Sequence, residues 1–278
     1  MKNLLLFAFI SFVFSNCHSQ QQEAVADSPV KQQAVVLPQH TSFDSSIKTI
    51  HVMVALCDNK YQGIVPVPAK IGNGQDPVNN LYWGCGFGVK SYFKKSSQWK
   101  LIKTFPGKGI IMERLVFKNV SHNYYLVADA YDGKFIKQCT VDFLNACAGK
   151  SKDTLHINDV IIGINGNASL LAYTGHDGLM DFTLTDDFTN ADNKNRDAVI
   201  LACISKKYFA KHLQQTKANP LVWSTGLMSP EAYTLHDAIE AYINQKPANT
   251  IQLAAAKAYS KYQKCSVKAA SRLLATGW

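Results

Sequence analysis

Residues 49–57 read TIHVMVALC, an apolar run rich in β-branched side chains that stops at Asp58-Asn59. A strand with one wet face alternates apolar and polar residues, whereas a strand covered on both faces reads as a near-continuous apolar segment. The run therefore predicts a buried strand of a parallel sheet. Working outward, residues 114–120, 124–130, 169–174, 198–203 (AVILAC) and 220–225 (PLVWST) read as further strands. Between them, 134–148 carries helical spacing, and 81–93, with Gly84, Gly86 and Gly88 against it, is a candidate short helix. Ser229-Pro230-Glu231 predicts a helix start running to about Asn244, with a capping residue followed by Pro at the first helical position. A last helix is expected over 250–275. Strands alternating with helices give an α/β class: a mostly parallel sheet with helices on both faces.

The first twenty residues, MKNLLLFAFISFVFSNCHSQ, place one lysine before an apolar core and small polar residues after it. The core is too short to span a bilayer as a stable helix and has the length of a signal-peptide core. Residues 1–19 are thus expected to be a signal peptide, and the product an exported protein of the periplasm or the outer-membrane surface. Cys17 directly follows Phe14-Ser15-Asn16, a sequence that resembles a lipobox, so Cys17 is the expected lipidation site; ordinary cleavage near Ser19 is the alternative. Residues 20–47, rich in Gln, Ala, Ser and Pro without a sustained period, read as a flexible tether. Residues 48–278 are sufficient for one sizeable core.

The net charge of +9 is modest for 278 residues. Lys257, Lys261, Lys264, Lys268 and Arg272 recur at helical spacing and predict a basic stripe on the terminal helix, a solvated face or a contact to anionic polymer. No basic cluster is interleaved with aromatic residues, so nucleic acid is not an expected partner. Seven cysteines contain no C-x-x-C pair, so no metal site is expected, nor any cofactor. Cys57, Cys139, Cys147 and Cys203 sit within apolar segments, where buried thiols are common. The segment QGIVPVPAKIGNGQDPVNN (62–80) carries three prolines and three glycines and reads as a long loop, of the kind that serves function or stays disordered.

In an open α/β sheet, ligands bind beyond the carboxyl ends of the strands. That rule selects Asp58, Asp129, Asp132, His176, Cys203 and Thr225. His176 and Cys203 are the pair able to act together, because the thiolate is the nucleophile and a neighbouring imidazole favours it. Adjacent parallel strands lie about 4.8 Å apart, so equivalent positions past their ends meet. Residues 183–197 (TLTDDFTNADNKNRD) must then form the crossover. A hairpin there would make the strands antiparallel and put the two side chains at opposite ends of the sheet.

Gly175-His176-Asp177-Gly178 after one strand and Ala202-Cys203 after the next resemble the caspase-like cysteine peptidases, which include the gingipains, clostripain and legumain. The resemblance spans about residues 49–245 and rests on these two short motifs. It implies a caspase-haemoglobinase sandwich, His176 and Cys203 as the catalytic dyad, and the backbone N–H groups of Gly178 and Cys203 as the oxyanion hole. It also implies a specificity residue at Asp58, where a carboxylate would favour basic substrate side chains; a strand-capping role is the other reading of Asp58. Thr225, in the segment 223–228 beside Cys203, is expected to wall the substrate pocket. The family's His and Gly are adjacent, whereas Asp177 intervenes in this chain, and 27 positions separate His176 from Cys203. The expected function is an exported peptidase acting on peptide or protein substrates, tied to a membrane only through a lipid anchor. The alternative is a non-catalytic envelope binding protein on the same sheet, using the loop 58–80.

Overall fold

The alternation of side chains along a strand sends odd and even residues to opposite faces, so a strand apolar at both parities needs two covering layers. The computed structural model describes residues 43–278, and in it all of the first strand but Lys48 is buried. The expected signal peptide, lipidation at Cys17 and the tether as far as residue 42 lie outside the described residues. Residues 43–47, expected at the end of that tether, form a turn in which Asp44 accepts from the N–H groups of Ser46 and Ile47.

The described residues form, in chain order, β1 (Lys48–Ala55), α1 (Val89–Lys95), β2 (Trp99–Lys108), β3 (Ile111–Asn119), β4 (Tyr124–Tyr131), α2 (Ile136–Cys147), β5 (Lys152–Ile157), β6 (Val160–Asn165), β7 (Leu170–Thr174) and β8 (Asp197–Leu201). Then follow α3 (Ser205–Thr216), β9 (Asn219–Ser224), α4 (Ala232–Ile243), α5 (Ala248–Gln263), α6 (Val267–Leu273) and β10 (Leu274–Ala275). Eight of the strands make one mixed sheet in the order β10-β9-β8-β7-β1-β4-β3-β2, and β5 pairs with β6 in a separate hairpin. The five central strands β9, β8, β7, β1 and β4 are parallel. The edges are antiparallel. The α/β class with a mostly parallel sheet is as the sequence predicts.

One face of the sheet, with Val52, Val54, Ala128, Ala172 and Val199, packs against Phe93 of α1, Leu235 and Ile239 of α4, and Ile251 of α5. The other, with Met53, Leu171, Tyr173 and Ile200, packs against Phe143 of α2 and Phe209 of α3. The β5–β6 hairpin closes the remainder of that second face over Val116, Tyr125 and Val127. Beneath it, buried Asp129 accepts from His51 Nε2 (3.0 Å) and from Arg114 Nε and NH2 (2.6 and 2.7 Å). Burial alone would raise the Asp129 carboxyl; the Arg114 and His51 hydrogen bonds outweigh it and hold it below the usual carboxylate range.

Three expectations are corrected. The segment 81–93 is helical only from Val89; Gly84 and Gly88 lie in the preceding turns, where a side chain would run into the backbone at Val78 and Trp83. The terminal helix is broken: Lys264 takes a left-handed conformation (φ 57°), and Ser266 caps a new helix by accepting from Ala269 N–H. Lys257 and Lys261 therefore sit on α5 and Lys268 and Arg272 on α6, and the basic stripe is not one helical face. The helix expected from Ser229-Pro230 starts later, at Ala232, with Glu231 at its cap.

The polar segment between β7 and β8 makes a parallel crossover that contains no α-helix. It is held as an irregular strap. Phe188 is fully buried in the α2–α3 layer, a burial that contributes about 2–3 kcal/mol. Buried Arg196 donates to both carboxylate oxygens of Asp192 (3.1 and 2.7 Å) and to Gly166 O (2.8 Å). Backbone bonds from Ala191 to Ala148 and from Asn190 to Gln215 fix the strap against α2 and α3.

Candidate active site

Thr174 and Leu201 are partners in the β7–β8 ladder, and His176 and Cys203 each follow two residues later. The ladder carries on past the strand ends through Gly175 N–H to Leu201 O (3.1 Å). Gly175 has φ 148°, and a side chain there would run into the Ala55 carbonyl at the end of β1, so the turn that delivers His176 requires glycine. Tyr173 Oη donates to His176 O (2.8 Å) from beneath.

Cys203 stands on a sharp strand-to-helix turn. Ile204 takes φ 51°, a left-handed conformation that is costly for a β-branched residue and persists only where its surroundings enforce it. Here two buried serines enforce it. Ser205 Oγ donates to Ile200 O (2.9 Å) and accepts from Ser224 N–H (2.9 Å). Ser224 Oγ in turn donates to Ala202 O and accepts from Ser205 N–H (3.1 Å). Ile204 N–H donates to Gly226 O (2.8 Å). The Ser205 hydroxyl is thus spent on structure.

His176 and Cys203 line one cavity of about 500 Å³ beyond the carboxyl ends of β7 and β8. Its other walls come from Ile64, Val65 and Val67 of the 58–80 loop, from Leu81 and Tyr82, from Met180, and from residues 227–231. Another hollow, of about 600 Å³, lies at the opposite edge around Asn195, Asp197 and Asn219 and holds neither residue.

Within the cavity the imidazole is only 6% exposed, and its Nε2 is bonded to Asp181 Oδ2 (2.7 Å). The same carboxylate oxygen accepts Gly63 N–H (2.8 Å), which ties the long loop to the histidine. An imidazole, a carboxylate bonded to it and a thiol thus share one cavity. Cys203 Sγ donates to Met228 O and accepts from Met228 N–H, both at 3.4 Å. Burial pushes the thiol up; the Met228 N–H opposes that rise, and the Asp177 carboxyl reinforces it. Asp177 itself is wholly buried, with Oδ1 accepting Leu179 N–H (3.0 Å) and Oδ2 without a partner. Burial raises its carboxyl to about 7 despite that hydrogen bond, with Asp181 adding to the rise.

The remaining expected site residues are not brought to the cavity. Asp58 Oδ1 caps the start of the loop by accepting from the N–H groups of Lys60 and Tyr61 (2.8 and 3.2 Å). Its Oδ2 accepts from Gln75 Nε2 (2.8 Å), so the carboxylate serves as a strand cap and does not line the cavity. Thr225 is exposed and donates through N–H and Oγ1 to Leu273 O, holding α6 to the sheet edge outside the cavity. Gly178 opens a short 3-10 turn packed against Phe182 and Ile136, next to the lining and not part of it. Of the segment 223–228 expected to wall the pocket, Leu227 and Met228 line the cavity; sequence reasoning missed Asp181, Met180 and the pinning by Ser224. Asp181 alone had a signal, a carboxylate five residues after His176 in a glycine-rich turn.

All six cysteines among the described residues are free. No cluster of three His, Cys, Asp or Glu side chains among the described residues could hold a metal ion. No family model, curated protein or solved structure matches the chain.

Proposed function

We propose that this chain is an exported cysteine peptidase with a caspase-like sandwich, in which Cys203 and His176 form the dyad. The observation that carries the reading is the shared register: two residues beyond paired ends of adjacent parallel strands, both side chains line one cavity. Asp181 holds Nε2, which leaves Nδ1 as the ring nitrogen for the chemistry. Nδ1 takes the Cys203 proton, and the thiolate adds to the peptide carbonyl carbon. The oxyanion is met by Cys203 N–H just before α3; Gly178 N–H, the second donor that the resemblance implies, lies beside the lining and takes no part in this scheme. Collapse of the intermediate breaks the C–N bond, and the imidazolium gives its proton to the leaving amine. Water, deprotonated by the same nitrogen, then hydrolyses the thioester and restores the thiol. Turnover of a mixed set of fluorogenic peptides by the purified chain tests this. Cleavage that disappears in Cys203→Ala supports it, and equal cleavage by that variant refutes it.

A second reading has its own observation. The resting thiol is half-buried, bonded to Met228 on both its donor and acceptor sides, and raised in pKa, as suits a non-catalytic protein that binds a peptide in the same cavity. Binding of peptides without cleavage would favour it.

A further inference from the structure

The cavity has an unusual rim. Val65 is 87% exposed and Leu227 70% exposed, and Met180 stands with them among the exposed large apolar side chains; all three line this one cavity. Single exposed apolar residues are ordinary, but several around the mouth of a concave site mark a binding surface. Deeper, Ile64, Val67 and Leu81 continue the apolar wall, and Tyr82 is almost fully buried. Three aspartates at these strand ends are directed elsewhere. Asp58 caps its own loop, Asp177 is sealed from solvent, and Asp181 accepts from His176 and Gly63. Glu231 is the acidic side chain in the lining, and its Oε2 already accepts from Tyr233 Oη (2.8 Å) and Gln263 Nε2 (3.2 Å).

We infer that the site takes an extended peptide carrying a large apolar residue, such as Leu, Met or Phe, immediately before the scissile bond. The inference rests on the peptidase reading. A volume of about 500 Å³ exceeds one side chain, so the residue before it also lies in the cavity, against the 64–67 wall. Desolvation drives the preference: an Arg or Lys head in this lining would leave water for a single carboxylate, Glu231, already held by Tyr233 and Gln263, whereas an apolar side chain covers the exposed rim.

The test is a fluorogenic peptide library varied at the position before the leaving group, read as kcat/KM with the wild-type chain, Cys203→Ala and Leu227→Glu. Leu227 is exposed, so its replacement leaves packing intact. Expected is a preference for Leu, Met or Phe over Arg and Lys by about tenfold or more. In Leu227→Glu the ratio should shift about tenfold towards Arg and Lys. Cysteine-dependent cleavage that favours Arg, Lys or Asp overturns this inference and leaves the peptidase reading standing. Absence of cleavage with every peptide overturns both.

Discussion

His176 Nε2 and Asp181 Oδ2 lie 2.7 Å apart, and the oxygen that receives the imidazole also receives Gly63 N–H from the long loop. One carboxylate thus fixes the imidazole and anchors one wall of the cavity. Asp181→Asn keeps an oxygen able to accept Gly63 N–H but removes the negative charge that stabilises an imidazolium. We expect kcat to fall by about 10²–10⁴ with a much smaller change in KM. A pure loss of loop anchoring would raise KM instead, and the split between the two constants decides.

The Cys203 thiol is raised by burial, and the adjacent Asp177 carboxyl adds to the rise. Iodoacetamide should therefore alkylate Cys203 slowly at neutral pH in the free protein, with the rate climbing on the alkaline side of an ordinary thiol. Asp177→Asn removes one negative charge near the sulfur and should move that titration to lower pH. An alkylation profile unchanged by the substitution would deny that the two groups interact.

Asp177 also has a signature in stability. Its carboxyl is raised to about 7 in the folded chain, from 3.8 when unfolded. The folded state therefore binds the proton more tightly, and stability from this group is full below about pH 4 and declines as pH rises through 7. Asp177→Asn should stabilise the protein at pH 8 by about 1–3 kcal/mol, with the gain vanishing at pH 4. Chemical denaturation at the two pH values measures it.

Asp129 has the opposite sign. Burial would raise it, but Arg114 and His51 hold it low, so its contribution is present above its unfolded value and is lost as pH falls through the folded one. Asp129→Ala strands a buried histidine and a guanidinium and should cost about 3–5 kcal/mol at pH 7. As pH falls below the ordinary carboxylate range the difference from wild type should shrink, as read from denaturant midpoints.

Ile204 holds a left-handed conformation directly after the proposed nucleophile. Ile204→Gly should relieve about 1 kcal/mol of strain and raise the melting temperature. It should also lower kcat, because the turn that aims Cys203 becomes free to relax. A variant both less stable and fully active would contradict this.

The parallel core was legible because β1, β8 and β9 are apolar at both parities, and that pattern has few solutions other than a strand covered on both faces. The register of His176 with Cys203 was legible for the same reason, since strand ends bounded by Gly175 and Ala202 can be counted from the sequence. Residues whose roles depend on distant partners were not. β2 and β5 lack a clean two-residue alternation, β6 (VIIGIN) is a short apolar run interrupted by Gly163, and they pair only locally. The strap 183–196 is polar in composition yet fixed by Arg196 and Phe188, neither of which has a periodic signature. Asp58 and Thr225 occupy the strand-end positions that the general rule selects, but backbone groups of their own surroundings claim their side chains. Lys264 broke the expected terminal helix without glycine or proline to announce it.

The central claim is that Cys203 is a nucleophile served by His176. An acyloxymethyl ketone peptide carrying Leu before the warhead reports on it directly, because a reactive thiolate displaces the carboxylate and leaves a stable thioether. Mass spectrometry of the labelled chain should place the adduct on Cys203 alone among the six described cysteines, and His176→Ala should abolish it. An adduct on another cysteine, or equal labelling of Cys203 in the histidine variant, would contradict the account.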